Sequence, residues 1–269
     1  MIEEFWQIGL SALFSGLIAW LAQRRGSLAP SGAWGALLVG TAIFGFGGWR
    51  WGVVLALFFV SSSGLSHFKE DEKAAVAEEK FAKGHARDVG QVMANGGLGS
   101  LLAIFAWIWP SELWLLGFVG IMATVNADTW ATELGTLAKS PPRLITNGRV
   151  VVPGTSGGVT PFGTAVSVAG GVLIGLGAGL LFVQINLFAG LVIGGISGLA
   201  GSLCDSLLGA TVQGMYYIDE TETETEKRVY QGRPTRLIRG WRWMTNDAVN
   251  LIASVLGGAT AVILASWLG

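Results

Sequence analysis

Three carboxylates lie in segments whose other residues are apolar enough to form membrane helices. Asp128 and Glu133 occur in GIMATVNADTWATELGT, and Asp205 occurs in GISGLAGSLCDSLLGATVQ. An ionisable group at membrane depth is costly, so it usually lines a water-filled cavity or binds an ion. Carboxylate oxygens are ligands for Mg²⁺. We therefore predict Asp128, Glu133 and Asp205 as catalytic metal ligands, in a phosphate and metal site at the cytoplasmic mouth of a helical bundle.

The spacing around Asp128 constrains how these acids act. Asn126, Thr129 and Glu133 share one helical face, and Asp128 with Thr132 shares the neighbouring face. On an ideal helix, Asp128 and Glu133 are about 140° apart and about 7.5 Å apart along the axis. Either the helix breaks near Asp128, or the two acids have separate roles, one on a metal and one on a cationic or hydroxyl partner.

Further polar residues recur at helical spacing within or next to the predicted membrane segments, and we predict that they contact substrate or nucleotide. They are Arg87, Asn95, Asn126, Thr129, Ser202, Ser206, Asn246 and Asn250. Arg87 is expected to act as a cationic clamp in catalysis. For Asn95, Asn246 and Asn250, hydrogen bonding between helices explains the pattern equally well.

The loop LITNGRVVVPGTSGGVTPFGT lies between the two acid-bearing segments. It contains an NG turn signal, a β-like run at 150–152 and a PGTSGG stretch, and a helix is expected to begin near Pro161. Small residues let backbone N–H groups converge on an anion. The predicted phosphate cradle consists of Gly154, Thr155, Ser156, Gly157 and Gly158, and Lys139, Arg143 and Arg149 lie close enough in sequence to clamp phosphate oxygens. A re-entrant turn without ligand would look similar, and no Walker motif is present.

The composition indicates an integral membrane protein. Of the 269 residues, 51% are hydrophobic, only 13% are charged, and 41 are glycine. A soluble domain does not need so much apolar sequence, whereas glycines let membrane helices pack closely. The formal net charge of −1, with basic residues dispersed among acidic ones, gives no indication of a nucleic-acid partner. The single cysteine, Cys204, excludes an internal disulfide and a cysteine-based zinc cluster.

Apolar run lengths predict an all-α fold, a polytopic bundle of about eight transmembrane helices that forms a single integral membrane domain over residues 1–269. The spans are expected near residues 4–22, 33–48, 50–66, 92–109, 113–137, 161–183, 187–213 and 247–268. The second and third spans are short and closely spaced, so a seven-helix fold is the main alternative.

The distribution of Lys and Arg favours eight spans, because positive residues are retained in cytoplasmic loops. With eight spans, all 17 Lys and Arg residues except Arg50 fall on one face. Cytoplasmic loops then lie near residues 67–91, 138–160 and 214–246, and both termini lie outside. The acidic start without a small-residue cleavage site predicts a first membrane helix rather than a secretory signal.

Two of these loops carry local patterns. Residues from about 70 to 83 have the charge pattern of an amphipathic surface helix. In the loop before the last helix, TETETEK predicts a short, solvated β-hairpin held without metal. We expect this loop to cover the site or to bind a partner, and we do not place catalysis there.

Five ordered motifs resemble those of the phytyl-phosphate kinase family, the integral membrane kinases of the vitamin E pathway and relatives such as transmembrane protein 19. The motifs are RDVGQVMANGG, NADTWATELG, PGTSGGVTPFGT, GSLCDSLLGATVQ and NDAVNLIAS. The resemblance covers most of the chain from Arg87 to Ser254. Some relatives carry cysteine pairs in the loop before the last helix, and this chain has none there.

The resemblance implies a CTP-dependent kinase that converts an isoprenoid monophosphate, phytyl or geranylgeranyl, to the diphosphate with the help of Mg²⁺. The expected partners are a prenyl phosphate, a nucleoside triphosphate and membrane lipid. We expect an integral protein of the inner (plasma) or thylakoid membrane, with its site facing the cytoplasm. Two alternatives stay open from the residues alone: an ion-coupled transporter and a cytidylyltransferase that forms a CDP-lipid.

Overall fold

The computed structural model describes residues 2–70, 72–73, 80–82 and 86–268. Within this part of the chain, eight α-helices are present. They are α1 (Ile2–Arg24), α2 (Pro30–Ala42), α3 (Trp49–His67), α4 (Val89–Ile108), α5 (Glu112–Gly135), α6 (Pro161–Leu181), α7 (Leu187–Thr211) and α8 (Asn246–Leu268). The amphipathic helix predicted near 70–83 falls largely outside the described residues.

The helices agree with the predicted spans to within a few residues. The second and third predicted spans are separate helices. The α-helix ends in a π-helical turn at Ile43–Gly47, and Gly48, with φ of +86°, separates this turn from α3. Helices α4 to α8 are long and apolar enough to cross a membrane, judged by length and composition. The protein is therefore a mostly helical membrane protein, and the full count of eight spans stays a prediction.

Local sequence explains where the helices of the site begin. Asp88 precedes α4 and accepts a hydrogen bond from the Gln91 amide, while the Gln91 side chain accepts one from the Asp88 amide. Thr160 caps α6 by accepting from the Gly163 amide at 2.9 Å, and Pro161 supplies a fixed φ at the first helical position. These caps set the ends of two helices that form the polar cavity described below.

Helix α5 is the centre of the bundle and packs against α3, α4, α6, α7 and α8. Its side chains Phe118, Val119 and Met122 are fully buried, as are Ile174 on α6 and Ile193 on α7. Any polar group on this helix must therefore find partners within the protein or in a cavity.

Glycines allow α6 and α7 to cross at backbone contact. A Cβ at Gly171 would collide with the carbonyl oxygen of Gly194, and a Cβ at Gly175 would collide with that of Gly190. Apolar burial gives little net drive for helix association inside lipid, so close backbone packing of this kind holds membrane helices together.

The loops form small sheets. β1 (Arg143–Leu144) pairs with β2 (Gly158–Val159) around the NG turn, where Gly148 has φ of +69°. The predicted β-like run at 150–152 is not a strand, because only Val150 makes a bridge to Arg143. The pairing strand instead lies at Gly158–Val159, which begins at the last residue of the PGTSGG stretch.

Residues 212–245, between α7 and α8, form a structure that we call the cap. Its main sheet is antiparallel in the order β4 (Thr223–Thr225), β3 (Met215–Ile218) and β7 (Arg236–Arg239), and a second pair joins β5 (Val229–Tyr230) to β6 (Arg233–Pro234). The predicted hairpin is confirmed as β3 and β4. It is less solvated than expected, since Tyr216, Ile218 and Thr225 are buried.

Replacing Gly175 with Ala tests the helix crossing. The added Cβ must push α6 from α7, so we expect the free energy of unfolding in detergent to fall by about 1–3 kcal/mol. Gly64→Ala is the matched control, because a Cβ there meets open space on α3. Equal stability of the two variants would show that the glycine contact does not hold the bundle.

Candidate active site

A polar cavity of about 570 Å³ lies at one end of the bundle. Its wall is formed by the carboxyl-terminal ends of α3, α5 and α7, the amino-terminal ends of α4, α6 and α8, the PGTSGG loop and the cap. The polar motifs of the sequence, which are far apart along the chain, therefore meet in one place.

Asp128 on α5 and Asp205 on α7 both line this cavity and lie close enough to interact electrostatically. One helical turn before each acid, Thr124 packs against Gly201, and its hydroxyl donates to the Ser197 carbonyl at 3.1 Å. A side chain at position 201 would collide with Thr124. This contact brings α5 and α7 together and so brings the two carboxylates to the same cavity.

The environment of these two carboxylates is only partly satisfied by protein groups. The Ser202 side chain hydrogen-bonds to Asp128. The Asp205 Oδ2 atom is buried and has no hydrogen-bond partner among the described residues. Two like charges on one cavity wall, one with an unsatisfied oxygen, require a compensating positive group or a proton.

Glu133 is satisfied separately. Its carboxylate accepts from the Lys73 ammonium at 2.5 Å and from the Ser66 hydroxyl at 2.7 Å. Helix α5 continues unbroken past Asp128 to Gly135, so the predicted break is absent and the alternative of separate environments holds. The three predicted metal ligands therefore do not converge, and no cluster of three or more His, Cys, Asp or Glu side chains suited to a metal occurs within the described residues.

Lys73 also fixes the end of α3. Its ammonium donates to the carbonyls of Leu65 at 2.8 Å and Ser66 at 3.0 Å, and the residue is only 4% exposed. A cation at a helix carboxyl terminus satisfies carbonyls that have no partner within the helix. The Lys73–Glu133 pair thus joins the end of α3 to α5 beside the cavity.

Arg87 is a buried cation on the cavity wall, just before α4. Its guanidinium donates to the Ser63 hydroxyl at 3.1 Å and lies 5.8 Å from the Phe58 ring centre. Burial lowers the pKa of Arg87, and the nearby Glu133 carboxylate partly opposes this change. An arginine stays charged under these conditions, so Arg87 contributes a fixed positive charge.

The PGTSGG loop lies on the cavity wall, as predicted for a phosphate cradle, but part of it is already bonded. The Thr155 amide donates to the Val152 carbonyl, and the Gly158 amide donates to the Thr155 carbonyl. The Ser156 hydroxyl donates to the Gln213 side chain at 2.9 Å. Gly157 has φ of +83° and packs against Ala210 with no room for a Cβ. The amides of Thr155 and Gly158 are therefore engaged in the turns of the loop.

The cavity gathers all but four of the residues predicted from sequence. Those that line it are Arg87, Asn95, Asp128, Thr129, Glu133, Gly154, Thr155, Ser156, Gly157, Gly158, Ser202, Asp205, Ser206, Asn246 and Asn250. Their chemical roles stay predictions. The four that do not line it are Asn126, Lys139, Arg143 and Arg149.

Asn126 is a buried structural residue at this position. It donates to the Gly170 carbonyl at 2.7 Å and accepts from Ser61 at 3.0 Å and Ser62 at 3.2 Å, so it joins α5 to α3 and α6. Arg149 lies exposed beside the NG turn, where its amide donates to Asn147. Substrate contact by either residue has no support in this geometry.

Several cavity residues were not singled out from sequence. They are Ser66, Lys73, Glu226, Lys227, Arg228 and Arg242. Each lies in or next to a loop, where helical spacing gives no signal. Their positions depend on how the cap and the segment after α3 fold over the bundle end.

A bundle of apolar helices around a carboxylate-lined cavity defines an integral membrane protein with a polar site at one end. The chain belongs to the family of integral membrane protein DUF92, whose family model matches residues 13–258.

Three related proteins align with most of this chain. Protein PGR of Arabidopsis thaliana is 33% identical over 91% of this chain and 92% of its own length. Uncharacterized membrane protein MJ0933 of Methanocaldococcus jannaschii is 30% identical over 98% of this chain and 96% of its own length. Protein VTE6, chloroplastic, of Arabidopsis thaliana is 26% identical over 88% of this chain and 65% of its own length. No solved structure matches the chain. These relatives agree with the family resemblance of the motifs.

The buried ion pair supports a stability prediction. Lys73→Met or Glu133→Gln leaves one partner without its counter-charge, so each should lower the free energy of unfolding by about 2 kcal/mol, less than for a fully buried pair because Glu133 is 18% exposed. The double variant should lose less than the sum of the two single losses. A detergent denaturation series measures all three.

The exposed pair Lys69–Glu72 is the control, with side chains 47% and 58% exposed. Lys69→Met and Glu72→Gln should each change stability by less than about 1 kcal/mol. Additive effects of the Lys73 and Glu133 substitutions would contradict direct coupling between them.

Proposed function

We propose that this protein is a kinase that transfers a phosphoryl group from CTP to an isoprenoid monophosphate, phytyl or geranylgeranyl, and forms the prenyl diphosphate. The observation that carries the proposal is the meeting of Asp128 and Asp205, from two separate helices, in one polar cavity at the end of an apolar bundle. The resemblance of the five motifs to phytyl-phosphate kinases and the similarity to Protein VTE6 support it.

The two acids fit a Mg²⁺ ion. Mg²⁺ is commonly held by one or two carboxylates together with water and substrate phosphates, and the buried Asp205 oxygen lacks a protein partner among the described residues. When bound by Asp128 and Asp205, the ion would supply charge neutralisation for the phosphates. We leave Glu133 out of this ligand set, because Lys73 and Ser66 already satisfy its carboxylate.

The residues are sufficient for this chemistry. A lipid monophosphate is already an anionic nucleophile, so the site needs no strong general base and acts by holding two phosphates in line. One oxygen of the lipid phosphate bonds to the terminal phosphorus of CTP, and the bond from that phosphorus to the bridging oxygen breaks, releasing CDP. Arg87 supplies a fixed charge, while Ser202, Ser206 and Asn250 offer hydrogen-bonding groups on the wall.

The arrangement of charge and apolar surface suits a lipid substrate. The loops at the cavity end carry nearly all the basic residues, which favours a cytoplasmic position for the site in a plasma or thylakoid membrane and a fold of eight spans. Leu203 of α7 lines the cavity and is partly exposed, so the cavity has an apolar edge that suits an isoprenoid chain.

The closed interior favours an enzyme over a carrier. A second cavity, lined by Trp51, Glu112 and Leu115, lies at the opposite end of the bundle. Along α5, the fully buried Phe118 and Met122 separate Leu115 from Asp128, a distance of about 20 Å at the rise of an α-helix. Within the described residues, fully buried apolar side chains thus lie between the two cavities, and this supports an enzyme over a carrier.

The products identify the reaction. Purified protein is incubated with Mg²⁺, phytyl phosphate and CTP labelled on either the α- or the γ-phosphate, and we expect γ-label in phytyl diphosphate with release of CDP. A CDP-lipid with pyrophosphate would instead establish the cytidylyltransferase. Substrate flux into liposomes without turnover would establish the carrier.

Asp128→Asn and Asp205→Asn should each lower turnover by at least about a hundredfold, the scale of losing a preorganised charge at the reacting centre. Size-exclusion chromatography verifies that both variants stay folded. Asp219→Asn is the control, because Asp219 lies on the exposed face of the cap beside Arg236 and outside the cavity wall. Turnover near that of the unaltered protein in both cavity variants would remove these acids from the reaction.

A further inference from the structure

The cap supplies a cationic part of the cavity wall. Lys227, Arg228 and Arg242 all belong to the cavity lining, together with Glu226 of the same segment. The carboxylates Asp128 and Asp205 belong to the helices beneath. The cap thus adds three cations and one carboxylate to the wall that faces Asp128 and Asp205.

A chain of hydrogen bonds through the buried Gln213 side chain holds the cap in this position. The Ser156 hydroxyl of the PGTSGG loop donates to Gln213, and the Gln213 amide nitrogen donates to Glu226 at 2.8 Å. Gln213 is only 1% exposed. A satisfied polar network inside a protein fixes the geometry of the groups that it joins.

Two further contacts attach the cap to the rest of the protein. The Glu226 amide donates to the Lys80 carbonyl at 2.9 Å, and the Thr225 hydroxyl donates to the same carbonyl at 3.2 Å. On the opposite edge of the sheet, Arg239 donates to the Gly209 carbonyl of α7 at 2.7 Å. The cap is thus anchored near both edges of its main sheet.

The cations themselves are placed by local bonds. The Lys227 amide donates to the Thr225 hydroxyl at 3.2 Å, and the Thr235 hydroxyl donates to the Lys227 carbonyl at 2.6 Å. One guanidinium nitrogen of Arg228 donates to the Arg242 carbonyl at 2.5 Å. The last of these bonds holds the Arg228 guanidinium against the backbone of Arg242.

Other cations near the site are less suited to a ligand with several charges. Lys73 is bonded to Glu133, and Arg87 is buried against Ser63. Arg143 and Arg149, which the sequence predicted as clamps, lie on the hairpin outside the cavity, and Arg143 donates to the Gly148 carbonyl. Arg228 and Arg242 are exposed at the mouth, where an incoming ligand meets them first.

We propose that the cap binds the polyphosphate group of the nucleoside triphosphate through Lys227, Arg228 and Arg242, while the lipid phosphate lies deeper, beside Asp128 and Asp205. A polyphosphate carries several negative charges, and arginine pairs with phosphate oxygens through two parallel hydrogen bonds. The identity of the ligand as a phosphoryl donor rests on the proposed function. The anion site itself is independent of catalysis.

Equilibrium binding tests this assignment without turnover. The affinity of full-length protein in detergent for CTP and for inorganic tripolyphosphate, both with Mg²⁺, is measured by calorimetry. Lys227→Gln, Arg228→Gln and Arg242→Gln should each weaken binding of both ligands by roughly tenfold, the scale of one charge-assisted hydrogen bond. Thermal unfolding of each variant confirms that the fold is retained.

Arg233→Gln and Arg236→Gln are matched controls on the same cap. Their guanidinium groups pair with Glu220 and Asp219 on the exposed side, away from the cavity, so binding should change by less than about twofold. Equal losses in these controls would show a general charge effect and overturn the proposal. Unchanged affinity in the three cavity variants, or absence of binding by the unaltered protein, would also overturn it.

Different experimental results would overturn the kinase proposal and the cap proposal. If tripolyphosphate binding depends on the three cap cations but no prenyl diphosphate forms, the anion site stands and the kinase does not. If turnover occurs and the three variants raise only the KM for lipid phosphate, the kinase stands and the cap binds the acceptor instead of the donor, which overturns this inference.

Discussion

The cost of placing carboxylates within a helical membrane bundle is the constraint on which the rest of this structure depends. The charge of Glu133 is compensated by Lys73 and by a hydrogen bond from Ser66, and these contacts also join α3 to α5. The charges of Asp128 and Asp205 are not paired in this way. Both residues face a shared polar cavity, and one oxygen of Asp205 has no protein partner among the described residues. The first arrangement stabilises the fold, and the second keeps charge available for a ligand.

Glycine packing makes the second arrangement geometrically accessible. The contact of Thr124 with Gly201 sets α5 against α7 one turn away from the two acids, and the crossing at Gly175 and Gly190 sets α6 against α7. Side chains at these positions would separate the helices and the carboxylates with them. The many glycines of the chain therefore serve the site indirectly, by deciding how close its supporting helices lie.

Much of the fold could be predicted from sequence, because helical periodicity and apolar run length are local signals. The helix bounds, the hairpin and most of the cavity residues follow from such patterns. The partner of Glu133 could not be predicted, since Lys73 is 60 residues away in a charged loop that resembles solvated surface. The positions of the cap cations and of Asn126 likewise depend on contacts between distant segments. Such contacts produce no periodic pattern in the sequence.

Binding of a divalent ion tests the central claim most directly. Mn²⁺, followed by electron paramagnetic resonance in the presence of CTP, reports whether Asp128 and Asp205 together hold a metal. The account predicts a bound ion in the unaltered protein and in Glu112→Gln, whose acid lies in the cavity at the opposite end. It also predicts loss of most of that binding in Asp128→Asn and in Asp205→Asn. Binding unchanged in both aspartate variants would contradict it.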